Sequence, residues 1–141
     1  MRWAAALAVA ATLAGCSGSP APDPREAIPA ALIESDIGVV SAEAEPEQDG
    51  LATNLFVVIE FDHGDVTSRD LASTLQIIVD NADTARYNYL AVVGRFGGDA
   101  NTGELLDLAT LSEQLGFEPD SVYGEWFHQK MSSVSSTIGS E

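Results

Sequence analysis

Basic side chains are scarce in this chain: 6 Lys and Arg stand against 22 Asp and Glu, a net charge of −16 over 141 residues. A surface this acidic repels phosphate backbones and anionic lipid headgroups, which argues against nucleic acid as a partner and against direct headgroup binding. Cysteine occurs once, at Cys16, so no disulfide can close within the chain and thiolate-rich metal sites are excluded. The two histidines, His63 and His128, lie in different segments and lack the close His or Cys company that zinc sites use. No apolar run reaches the roughly 20 residues that span a bilayer. A G-x-S-x-G elbow, an EF-hand spacing and a phosphate-cradling glycine loop are all missing. The fold must therefore rest on an apolar core, for which a hydrophobic content of 45% is sufficient.

What is present begins at the N-terminus. Arg2 supplies a positive charge, and Trp3 to Leu13 is apolar apart from Thr12. Such a run has the length and charge layout of an export signal rather than of a membrane span. Small residues then lead into the lone cysteine. The stretch Leu13-Ala14-Gly15-Cys16 resembles the lipobox of bacterial lipoproteins. The resemblance implies a diacylglyceryl group on the Cys16 thiol, cleavage just before Cys16, and anchoring on the extracytoplasmic face of the cell membrane. Lipidation also accounts for an unpaired cysteine in an exported chain. The expected organisation is a signal peptide over 1–15, a lipidated cysteine and flexible tether over 16–24, a globular domain over 25–118, and a C-terminal helix with a frayed tail over 119–141. The tether, SGSPAPDP, is small, polar and proline-rich, suited to spacing the domain from the bilayer.

Hydrophobic periodicity predicts the elements of the domain. Glu26 to Ser35 has helical spacing, with Pro29 in its first turn. In Val39 to Glu45, Val40, Ala42 and Ala44 share one face of a strand. Asp49-Gly50 marks a turn, and Thr53 to Phe61 alternates strongly, with Leu55, Val57, Ile59 and Phe61 on one face and Phe56, Val58 and Glu60 on the other. Thr67 and Asp70 form a capping-box signature ahead of Leu71, Leu75 and Ile78. Asn88 to Phe96 is a further strand, Glu104 to Leu106 a short return strand, and Asp107 to Leu115 a helix stopped by Gly116. The order helix-hairpin-helix-hairpin-helix predicts an α+β fold, an antiparallel sheet of three to four strands with helices on one face. This order is similar to that of the BON module of bacterial envelopes. With its Gly38-Val39-Val40-x-Ala42 strand, the domain also resembles uncharacterised small lipoproteins of actinobacteria, a likeness that implies no particular activity.

Two clusters have cation-like composition: Glu60, Asp62, His63, Asp65 and Asp70 at a strand end, and the loop Gly98 to Glu104. The first reads as a solvated turn and helix cap, the second as a glycine-shaped hairpin turn, so no metal, cofactor or catalytic residue is expected. In the tail, Tyr123, Trp126, Phe127 and Met131 form an aromatic face suited to docking an envelope protein, or to covering the domain's own sheet. The functional expectation is a non-enzymatic binding or scaffolding domain held at a membrane by its lipid. A cation- or small-ligand-binding module and an envelope enzyme with an unrecognised site are the competing readings.

Overall fold

The computed structural model describes residues 23–98, 102–118 and 121–139. The leader, Cys16 and most of the tether lie outside them. Helix α1 spans Pro24–Glu34, and Asp23 caps it by accepting the Arg25 N–H at 3.0 Å. The last two residues of the proline-rich stretch are thus its cap and first turn. The helix opens two residues ahead of Glu26, so Pro29 sits in its interior, where the missing N–H leaves one backbone bond unmade.

Strands β1 (Val39–Asp49) and β2 (Ala52–Phe61) form an antiparallel hairpin closed by Gly50 and Leu51. Gly50 adopts φ 63°, the left-handed conformation that two-residue hairpin loops use at their first position. A bulge between Val39 and Ser41 shifts the register. It turns Val39 into the core and leaves Val40 55% exposed, the reverse of what simple alternation predicts for these two valines.

Helix α2 (Ser68–Asp80) carries the expected capping box: Thr67 Oγ1 accepts from the Asp70 N–H, and Asp70 accepts from the Thr67 N–H. Its buried stripe is Leu71, Leu75 and Ile78. Strand β3 (Tyr89–Phe96) pairs with β2 in parallel, from Asn54 opposite Tyr89 to Phe61 opposite Phe96. The sheet is therefore mixed, not antiparallel throughout. The reason is the length of α2: a 13-residue helix carries the chain about 20 Å back along the sheet, so the next strand starts at the same end as the last.

Strand β4 (Glu104–Leu105) makes only two pairs with the end of β3. Helix α3 (Leu108–Gln114) is capped by Asp107, which accepts from the Thr110 N–H. Past it, Gly116 at φ 96° turns the chain so that Phe117 folds back into the core. Strand β5 (Phe127–Lys130) pairs antiparallel with the first half of β3, beside β4, and helix α4 (Met131–Ile138) follows without a loop. The C-terminal segment is thus a strand and a short helix built into the sheet, not one helix from Tyr123 to Val134. A spacing of four residues between Phe127 and Met131 suits a strand's period of two as well as a helix's 3.6, and the pairing with β3 decides between them.

All four helices contribute to one buried cluster with a single face of the sheet: Ile28 and Leu32 from α1, Leu75 from α2, Leu108 from α3 and Val134 from α4 meet Leu55, Val57, Ile59 and Leu90. The fold is α+β with a mixed sheet of five strands and four helices among the described residues. None of these helices is long and apolar enough to cross a membrane.

Candidate functional site

Among the described residues the second face of the sheet carries no helix, although Ala91 and Val93 on it are buried. Alternation places Glu43, Glu45 and Glu47 of the edge strand β1 there, opposite Val58, Phe56 and Asn54 of β2. Tyr89, Ala91 and Val93 of β3 come next, and then His128 and Lys130 of β5. One side of this face is acidic and its middle is apolar.

Aromatic rings collect at the end of this face nearest the β1–β2 turn. Gly124, at φ 60°, makes the tight bend that the segment before β5 requires. The bend is pinned from below, because the Glu125 carbonyl accepts from the Leu108 and Ala109 N–H groups at the start of α3. It delivers Tyr123 and Trp126 to the sheet. The Tyr123 ring stacks on His128 with centroids 3.8 Å apart, and His128 stacks on Tyr89 at 5.0 Å. Trp126 lies 5.4 Å from Phe56 in a tilted contact and 6.1 Å from Tyr123. These rings wall a groove of about 390 Å³ whose rim is formed by Glu47, Gln48 and Asp49. Asn54 also lines it, and the buried Asn54 Oδ1 has no hydrogen-bond partner among the described residues. Glu43, Glu47 and Asp49 are exposed and form no ion pair among the described residues, whereas Glu45 is held at 2.9 Å by Arg25. That carboxylate raises the Arg25 pKa by hydrogen bond and charge. Both groups are half exposed, and such pairs contribute little to stability.

The four tail residues, expected either to dock a partner or to cover the domain's own sheet, are divided by the fold. Phe127 and Met131 are buried in the core, Phe127 edge-on to Phe117 at 5.2 Å, and present nothing to a partner. Tyr123 remains 39% exposed, and with the half-buried Trp126 it belongs to the groove. Phe56, Tyr89 and His128 join them from elsewhere in the chain. A sequence signal for these existed: β2 and β3 alternate, yet both carry apolar residues on each face, which a sheet with one solvated face does not need.

The first acidic cluster is divided as well. Glu60 lies on the uncovered face but is itself buried, with Oε1 accepting the Gly98 N–H at 2.8 Å. Its register partner Arg95 donates to the Gly103 carbonyl at 2.9 Å. The two side chains clamp both ends of the β3–β4 loop, whose residues 99–101 lie outside the described residues. A Cβ at Gly103 would approach Glu60 Oε2 to 2.6 Å, so glycine there permits the close seating of the carboxylate. Asp62, His63 and Asp70 meet on the way into α2. His63 Nδ1 lies 2.6 Å from Asp62 Oδ1, and Nε2 lies 3.9 Å from Asp70 Oδ2. The hydrogen bond to Asp62 raises the His63 pKa, burial opposes this, and the charges of Asp62, Asp65 and Asp70 reinforce it. Among the described residues no group of three or more His, Cys, Asp or Glu is placed to hold a metal ion.

Compared with protein-family models, curated proteins and solved structures, the chain matches none.

Proposed function

We propose that this chain is an exported lipoprotein whose α+β domain binds another protein at the extracytoplasmic face of a cell membrane, without catalysing a reaction. The anchor is read from Leu13-Ala14-Gly15-Cys16. Two acyl chains hold a protein at a bilayer stably where one is marginal, so the fold itself needs no membrane-binding patch. The binding role rests on one observation: the four helices among the described residues pack on one face of the sheet, while the other presents a groove of aromatic rings. Exposed aromatic clusters with polar rims mark interaction surfaces.

Two measurements test the reading. Cys16→Ser should move the protein from the membrane to the soluble fraction with an unchanged melting temperature; a variant that stays on the membrane overturns the anchor. A photo-cross-linking residue at Tyr123 should trap a defined partner in intact cells, and one at Ser73, exposed on α2, should not. Equal products at both positions, or none at Tyr123, overturn the binding role.

A further inference from the structure

We infer that the groove between the β1–β2 turn and the Tyr123–Trp126 bend receives a lysine or arginine side chain from a basic segment of a partner polypeptide. This rests on the reading of the uncovered face as a binding surface and names the chemistry it selects. The walls come first. The faces of aromatic rings carry negative potential, which draws an ammonium or guanidinium group, and tryptophan and tyrosine do so best. Trp126, Tyr123, Tyr89 and Phe56 all line this one cavity. Its volume of about 390 Å³ lies at the small end of ligand clefts.

The carboxylates of the lining, Glu47 and Asp49, stand beside the polar Gln48, Asn54 and His128, and the lining holds no Lys or Arg. Glu47 and Asp49 stand at the rim as exposed carboxylates without an ion pair among the described residues. Acceptors in want of donors suit a cation that brings several N–H groups. An anionic ligand would meet these carboxylates and a net charge of −16.

A polypeptide is favoured over a free small cation by what lies beyond the groove. Glu43 continues the acidic row along the same edge strand, on the same face as Glu47, while Glu45 between them is already paired with Arg25. Alternate residues of a strand are about 6.6 Å apart, so Glu43 and Glu47 lie about 13 Å apart and match an extended segment whose basic residues stand four positions apart. A small cation would use only the rim and leave the row idle.

The test uses the full chain in a neutral detergent, with Trp3→Phe so that Trp126 is the only tryptophan. Its fluorescence is followed during titration with the peptide acetyl-Lys-Ala-Lys-Ala-Lys-amide. The same peptide with acetylated lysines and tetramethylammonium chloride serve as comparison probes. The basic peptide should give a saturable change that weakens with salt. Tyr123→Leu should weaken it by about two- to thirty-fold. Glu47→Gln with Asp49→Asn should also weaken it, while Glu113→Gln on the helical side should not. Melting curves of each variant confirm folding. Equal binding of the acetylated peptide overturns cation recognition and leaves the face as an apolar docking surface. Tetramethylammonium matching the peptide overturns the polypeptide as occupant. Equal effects of Glu113→Gln and the rim variants reduce the binding to general charge attraction and overturn the groove. No saturable change overturns the inference, whereas loss of the in-cell cross-link at Tyr123 overturns the binding role beneath it.

Discussion

Tyr123 and His128 stack with ring centroids 3.8 Å apart and planes 15° from parallel, one ring brought in by a bend and the other by a sheet strand. The contact ties the Gly124 bend to β5 and so holds one wall of the groove. Aromatic contacts of this type are worth about 0.5–1.5 kcal/mol beyond area burial. A double-mutant cycle of Tyr123→Leu and His128→Leu, measured by urea unfolding, should give a coupling energy in that range. Additive losses would show that the rings do not support one another.

Neighbouring aromatic residues in the tail should differ sharply in stability. Phe127 is fully buried at the meeting of β5, α3 and α4, so Phe127→Ala removes core volume and should cost about 3–5 kcal/mol. Tyr123, five residues ahead of His128 and 39% exposed, should cost under about 1.5 kcal/mol on truncation. Chemical denaturation of both variants checks the contrast, and similar losses would contradict the division of the tail.

Glu60 should matter to the fold more than any other glutamate on its face. It is 1% exposed and accepts the Gly98 N–H, so Glu60→Ala leaves that donor unpaired and empties a packed site. A loss of about 1–3 kcal/mol is expected, against a change within about 0.5 kcal/mol for the exposed Glu43→Ala. Amide hydrogen exchange at Gly98 should quicken in the Glu60 variant alone.

The His63 site predicts a pH dependence with a definite sign. Asp62 accepts a hydrogen bond from the ring, and the pKa of His63 is raised above its ordinary 6.5. A proton bound more tightly in the folded state stabilises it fully below the unfolded value, and this support is lost as pH rises through the raised folded value. His63→Gln should therefore lower the melting temperature more at about pH 5.5 than at about pH 8.5. An equal difference at both pH values would show that the Asp62 contact does not depend on charge.

Much of the local structure was legible in the chain. Thr67 and Asp70 mark the start of α2, Asp107 that of α3, and Gly116 its end, because caps act through bonds to residues three or four positions away. The face of β2 that enters the core follows from alternation alone. Val39 and Val40 were not legible, since a one-residue bulge is settled by pairing with Phe61 and Glu60. The antiparallel expectation failed at β2 and β3 because strand direction depends on where α2 returns the chain. The tail was misread because Phe127 and Met131 fit two periods equally well.

Sequence by itself determined the acidic balance, the residue context of Cys16, the amphipathic stripes and the α+β class, all of which depend on composition or on near neighbours. Tertiary structure alone decided that Tyr123 and Trp126 leave the tail to join Phe56, Tyr89 and His128, while Phe127 and Met131 go inside. These groupings rest on the pairing of β5 with β3, a contact between residues more than 30 positions apart, and no local preference encodes it.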